Sequence, residues 1–247
     1  MNNNTMNSVT IIKRIRNILS KIERSVKSRP TRTFTEYFNF IKNLGFYANT
    51  VIDVGAACGT LPLYESFPDA YFILIEPLTE FHPKLTEILK SYNGELHKCA
   101  LMSEEGRKTI FRTNDLYGSS LMHRVKDLND GRLINVDVKK LDQILDSKLI
   151  KKPIILKTDC QGGDYEVIKG ANKTLDSCDI VIMEISFFKF WGEHHPEPLE
   201  ILNYMNERGF VIHDILDGIF RPYDNALGQV DICFVKNNGT FKQSNNW

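Results

Sequence analysis

"VIDVGAACGT", residues 51–60, decides how this chain is read. A short apolar run ends in Asp53, and Gly55 and Gly59 then enclose only small residues, Ala56, Ala57 and Cys58. Such a run reads as a buried strand, and the glycines let the backbone turn tightly and a ligand approach it closely. The same beat repeats downstream. "LPLYESF" is a short helix and "AYFILIE" a strand, followed by a helix carrying Phe81, Leu85, Ile88 and Leu89. "ELHKCAL" reads as a third strand. "PIILKTD" leads into a helix over "DYEVIKGANKTL", and "DIVIMEI" into the helix "PLEILNYMNERG", closed by Gly209. Strands apolar on both faces, alternating with helices, predict a mostly parallel sheet covered on both sides. Between them, "KTIFRT" and "LINVDVKKL" read as a small antiparallel excursion. "FVIHDIL" and "VDICFV" have no helix between them, so a long loop and one antiparallel strand are expected at the sheet's end.

Upstream, Thr33 and Glu36 make a capping box for a helix over Thr33–Leu44, with Phe34, Tyr37, Phe38, Ile41 and Leu44 as its stripe and Gly45 as its stop. Residues 9–26 set seven apolar side chains from Ile11 to Val26 at helical spacing, with lysines and arginines on the other face. A basic amphipathic helix of this kind packs on its own domain or lies on an anionic membrane. The chain thus divides into that helix, residues 1–32, and one α/β domain, residues 33–247.

Composition bounds the function. Lysine plus arginine and aspartate plus glutamate both number 31, so the net charge is zero. That balance argues against a nucleic-acid partner, whose binding rests on neutralised phosphates. No apolar run approaches the ~20 residues of a membrane span. Five scattered cysteines, without a C-x-x-C pair, fit neither a disulfide framework nor a zinc cluster, and point to reduced thiols in a cytoplasmic protein.

In an open α/β sheet, ligands bind at the carboxyl ends of the strands. The glycine loop lacks the lysine of a phosphate-binding P-loop, and Ala57 and Thr60 break the dinucleotide fingerprint. Asp53 would repel a pyrophosphate but suits a cationic head. Glu76 ends the second strand in "LIEP", where a carboxylate accepts hydrogen bonds from both hydroxyls of a ribose. Ala100 and Leu101 end the third and can pack on an adenine. Asp53, Gly55, Ala56, Gly59, Glu76, Pro77, Ala100 and Leu101 are therefore the expected site for S-adenosylmethionine, with S-adenosylhomocysteine as product.

With "VIDVGAACG", "IEP", "GSSL" (118–121), "LKTDCQGGDYEVIKGA" (156–171) and "IVIMEI", the chain resembles the FkbM-type S-adenosylmethionine-dependent methyltransferases from about Thr50 to Val235. The long 156–171 block is the specific part. The resemblance implies a Rossmann-like seven-stranded methyltransferase fold and O-methylation, often of sugars or secondary metabolites. This chain departs from it with Ala57 for a usual Asn, and with Gln161 and Asp164 for usual Glu residues.

Methyl transfer to oxygen needs an aligned hydroxyl and a group to take one proton. Asp159 and Glu184 end adjacent strands, and Lys157 shares the side of the pleat with Asp159. Asp159 is read as base or orienting carboxylate with Glu184 beside it; the other reading makes Asp159 a helix cap. The two acids can also hold a divalent metal, which is not favoured without a clear third ligand. "SFFKFWGEHHPEP" puts Trp191 and its neighbouring phenylalanines at the rim, either for stacking on a flat acceptor face or, the commoner case, buried beneath the next helix, with His194 or His195 as a base. Ser119 and Ser120 are expected to line the acceptor site. The expected acceptor is a glycan or sugar-containing hydroxyl, with a natural product, a peptide, or a cofactor-binding module without turnover as alternatives.

Overall fold

The computed structural model describes residues 31–122, 130–146, 150–244 and 246. The basic helix expected over residues 9–26 lies outside them. The described part opens with α1 (Phe34–Asn43), where Thr33 Oγ1 accepts from the Glu36 N–H and a Glu36 carboxylate oxygen accepts from the Thr33 N–H, as the capping box requires. Gly45 ends it at φ 85°. There follow β1 (Thr50–Val54), α2 (Leu61–Ser66), β2 (Tyr71–Ile75), α3 (His82–Ile88), β3 (Gly94–His97), β4 (Ala100–Leu101), β5 (Gly106–Thr113) and β6 (Gly131–Lys139). Then come α4 (Leu141–Leu145), β7 (Ile154–Thr158), α5 (Asp164–Lys169), α6 (Asn172–Ser177), β8 (Ile180–Ser186), α7 (Pro198–Glu207), β9 (Phe210–Phe220) and β10 (Leu227–Lys236). None of the described helices is long and apolar enough to cross a membrane.

The described strands build a seven-stranded sheet in the order β3-β2-β1-β7-β8-β10-β9, and a three-stranded one in the order β4-β6-β5. β1, β2, β3, β7 and β8 run parallel, and β10 is antiparallel to both neighbours. This is the Rossmann-like fold expected, with helices on both faces. On one face, Val51, Phe72, Ile155, Ile182 and Cys233 pack with Tyr37, Phe38 and Leu63; on the other, Ile52, Leu156, Met183 and Ile232 pack with Leu145, Val167 and Met205. Both faces are buried, which is why the parallel strands β1, β2, β7 and β8 are apolar over most of their length.

Three details differ from expectation. The antiparallel strand is not at the edge but between β8 and β9, and the connection is a hairpin over residues 221–226, because both strands outrun their apolar words. "ELHKCAL" splits: Gly94–His97 joins the large sheet, while Ala100–Leu101 pairs with β6 in the small one. "DYEVIKGANKTL" is two helices, α5 and α6, broken at Gly170, where a Cβ would stand 2.3 Å from the Met102 carbonyl oxygen.

Candidate active site

Successive strands leave β1 in opposite directions toward β2 and β7, so the carboxyl end of β1 is the switch point where a crevice opens. Gly55 turns the chain there at φ 72°, and a Cβ on it would meet the Asp159 carbonyl oxygen at 2.1 Å. Only glycine lets the ends of β1 and β7 come so close. The next turn places Ala57 at φ 45°, a left-handed conformation for which Asn is better suited, which gives a backbone reason for the Asn implied at this position.

The Ala57 N–H donates to Glu76 Oε2 at 2.9 Å, and the Leu78 N–H donates to Glu76 Oε1 at 2.8 Å. Glu76 is thereby held in one orientation at the mouth of β2. Burial pushes its carboxyl up to about 7, against these two hydrogen bonds. Each oxygen keeps a second acceptor direction for a ribose hydroxyl. A cavity open to solvent lies over this turn, lined among others by Gly55, Ala57, Glu76, Pro77, Ala100, Leu101, Ile110 and Asp159. Its polar wall sits on the Glu76 side and its apolar wall at Ala100, Leu101 and Ile110, so the residues present fit S-adenosylmethionine.

Of the residues expected to touch the cofactor, Ala56 and Gly59 do not line this cavity. Ala56 is buried, and Gly59 (φ 99°) gives way to Ile88, whose Cδ1 would be 2.5 Å from an added Cβ. Asp53 also stands behind the cavity, fully buried. Its Oδ2 accepts from Tyr64 Oη, and its Oδ1 lies 3.6 Å from Lys157 Nζ, the side chain in register with it across β1 and β7. Ser119 and Ser120 line the cofactor cavity itself. Ser119 Oγ accepts from the Thr113 N–H, and Ser120 Oγ donates to the Gln161 carbonyl at 2.7 Å, which ties the 118–121 loop to the β7–α5 turn.

A second group of polar residues continues the Val51 face of the sheet. Lys157 and Asp159 follow Ile155 at spacing two, Glu184 follows Ile182, and Asp231 precedes Cys233. Register places Asp231 directly opposite Glu184. The Lys157 ammonium reaches Asp159 Oδ2 at 3.4 Å as well as Asp53. Burial works against its charge, but Asp159, Asp53 and Asp231 outweigh burial and hold it above the ordinary lysine range. Asp159 Oδ1 accepts from Gln161 Nε2 at 2.9 Å. The helix-cap reading of Asp159 does not hold: α5 has Gly163 at its N-cap with no side-chain bond, and it is Asp164 that accepts from the Cys160 N–H.

Burial, then Asp159, Asp164 and Asp231, push the Glu184 carboxyl up to about 9. Burial likewise raises Asp231 to about 7, with Lys157 opposing and Asp159 and Asp164 adding to the rise. Glu184 Oε1 also accepts from Gln229 Nε2 at 2.6 Å. Carboxyls raised in this way by burial and by one another suit proton transfer closer to neutral pH than free carboxyls do. Asp231 and Gln229 were not singled out in the sequence, although the alternation of "GQVDICFV" sets Gln229, Asp231 and Cys233 on one face.

The rim residues fare differently. Trp191 is only 4% exposed and packs against Gly162, whose added Cβ would stand 2.3 Å from Trp191 Cγ. It supports the β7–α5 turn from below and offers no open stacking face. His195 is buried, and burial pushes its imidazole below the usual value; His194 is exposed. Among the described residues, no group of three or more His, Cys, Asp or Glu side chains is placed to hold a metal ion.

A family model described as "Methyltransferase FkbM domain" matches residues 53–212. Among curated proteins, none matches the sequence. Three solved structures show similar folds. Magnesium protoporphyrin IX methyltransferase from Synechocystis, with bound S-adenosylmethionine, is 12% identical, with 95% of this chain and 86% of that one covered and a TM-score of 0.45. An rRNA methylase from Streptococcus thermophilus is 11% identical over 85% and 99%, with a TM-score of 0.47. Precorrin-6y C5,15-methyltransferase from Geobacter metallireducens is 10% identical over 82% and 86%, with a TM-score of 0.44.

Proposed function

Because this chain belongs to the FkbM methyltransferase family, whose members draw on S-adenosylmethionine, we propose that it is an O-methyltransferase acting on a hydroxyl of a glycan or sugar-containing acceptor. The observation that carries this reading is the convergence of Gly55, Glu76 and Asp159 on one cavity at the switch point of the sheet. When bound, S-adenosylmethionine supplies an electrophilic methyl group on a sulfonium. Glu76 would hold the ribose hydroxyls, and Ala100, Leu101 and Ile110 would cover the adenine. Asp159 stands where the cavity meets the acid cluster and would orient the acceptor hydroxyl. Asp159 would also take the proton released from that hydroxyl. Lys157 keeps Asp159 and Asp53 in place and takes no proton itself, being held in its charged form.

Calorimetric titration with S-adenosylmethionine and S-adenosylhomocysteine, on the wild type and Glu76→Ala, tests the cofactor part. Micromolar binding that the substitution weakens is expected, and no binding to either compound would end the reading. A second reading, cofactor binding without turnover, is favoured by one observation: both Asp159 oxygens already have partners, Gln161 and Lys157. Transfer of labelled methyl to any member of a saccharide panel separates the two.

A further inference from the structure

A second concavity lies beyond the acid cluster, between the β8–α7 loop and the β9–β10 hairpin. It encloses about 1310 Å³ of open space, and its walls include Phe190, Phe220 and Tyr223. Gln229 lines it and also donates to Glu184, so the inner end of the groove opens beside the acid cluster. On the other side of the same cluster, Asp159 lines the cavity at the end of β1 and bonds Lys157, so the acid cluster lies between the two concavities.

The aromatic walls are uncovered: Phe220 is 57% exposed and Tyr223 88%. The hairpin that carries them is braced at Arg221. The Arg221 guanidinium lies 3.6 Å from the centre of the Phe188 ring and 5.4 Å from that of Tyr223. Arg221 is fixed in turn by two parallel hydrogen bonds to Asp224. Apolar rings that stay in water on a braced hairpin mark a contact surface.

Charge narrows what fits. The cations of the groove wall are Arg221 and Lys189. Arg221 is committed to Asp224, and Lys189 Nζ is shared between Glu193 at 3.8 Å and Glu197 at 3.5 Å. The inner end is acidic. A phosphate or carboxylate placed there would find no uncommitted cation among the lining residues, whereas Gln229 and Glu184 offer hydrogen-bonding partners to a hydroxyl. A ring with hydroxyls at its edges and C–H groups on its face suits both the aromatic walls and the carboxyls.

We propose that this groove is the acceptor site and that it takes an uncharged saccharide ring, stacked on Phe220 and Tyr223 with a hydroxyl toward Gln229 and Glu184. The proposal rests on the methyltransferase reading above. It excludes an anionic sugar or a polynucleotide from this position.

The test is saturation-transfer NMR on the full chain with S-adenosylhomocysteine present. Its probes are methyl glucoside and methyl glucuronide, which differ by one carboxylate, and a short RNA oligonucleotide. The variants are Phe220→Ala, Tyr223→Ala and, as a control on a distant exposed ring, Tyr47→Ala. The glucoside is expected to bind about tenfold or more tightly than the glucuronide, a gap that corresponds to about 1.4 kcal/mol. Phe220→Ala and Tyr223→Ala should each weaken it severalfold, Tyr47→Ala should not, and S-adenosylhomocysteine affinity should be the same in all four proteins. Equal binding of the two glycosides, no glucoside binding, preference for the RNA, or indifference to Phe220→Ala and Tyr223→Ala would each overturn the proposal. If the glucoside binds as described while S-adenosylhomocysteine does not bind at all, the methyltransferase reading fails and the groove remains a saccharide site without an acceptor role.

Discussion

Replacing Lys157 by Met tests whether the acid cluster depends on its buried cation. The ammonium is 3.6 Å from Asp53 Oδ1 and 3.4 Å from Asp159 Oδ2, with the lysine side chain 5% exposed and Asp53 fully buried. Methionine fills a similar volume, so little packing is lost. What remains is a buried Asp53 with Tyr64 as its hydrogen-bond donor and no positive charge near it. Removing one partner of a buried ion pair costs about 3–5 kcal/mol, because the other charge is left uncompensated. In a chain of this size each kcal/mol lowers Tm by about 2–4 °C, so a fall of roughly 6–20 °C is expected. Circular dichroism melts at pH 7 would read it. The double variant Asp53→Asn, Lys157→Met should recover part of the loss, with a coupling of about 0.5–3 kcal/mol. A loss under about 1 kcal/mol in the single variant, or strict additivity in the double, would refute the view that Lys157 holds Asp53 in a dry interior.

Further outcomes follow from the same geometry. Glu184, Asp231 and Glu76 have folded-state carboxyl values raised to about 9, 7 and 7, so the native state keeps protons that the unfolded chain releases near pH 4. Their contribution to stability is complete below the unfolded values and is lost as pH climbs through the folded ones. Urea unfolding of the ligand-free protein should therefore weaken between about pH 5 and 9, and Glu184→Gln should flatten the upper part; a curve that rises through this window would contradict the assignment. Glu76→Gln keeps the shape but removes charge-assisted acceptance, worth about 1.5–3 kcal/mol, so S-adenosylhomocysteine binding should weaken roughly 10- to 150-fold by calorimetry. Gly162→Ala forces a left-handed alanine (φ 87°) into Trp191 and should cost at least about 1–3 kcal/mol, with a shift in tryptophan emission. His194→Gln, at an exposed rim position, should leave the rate of methyl transfer within about threefold of wild type; a loss of 100-fold or more, the typical contribution of a general base, would return His194 to the chemistry.

Much of the site was legible because it is local. The glycine turn, the acid closing β2 and the Lys157–Asp159 pair are each set by neighbours a few residues away, where strand periodicity and glycine's freedom act directly. Trp191 was left between stacking and burial for the opposite reason. Whether an aromatic in a loop is open or covered depends on a distant partner, here the turn at Gly162.

The sequence by itself determined the alternation of strands and helices, the parallel core and the position of the cofactor turn, since apolar periodicity and turn chemistry are properties of short segments. Only the tertiary structure decided that β10 slots between β8 and β9, and so brings Asp231 and Gln229 against Glu184. Strand order and register depend on which distant edges bury each other best, and a one-residue slip would turn Gln229 and Asp231 to the opposite face.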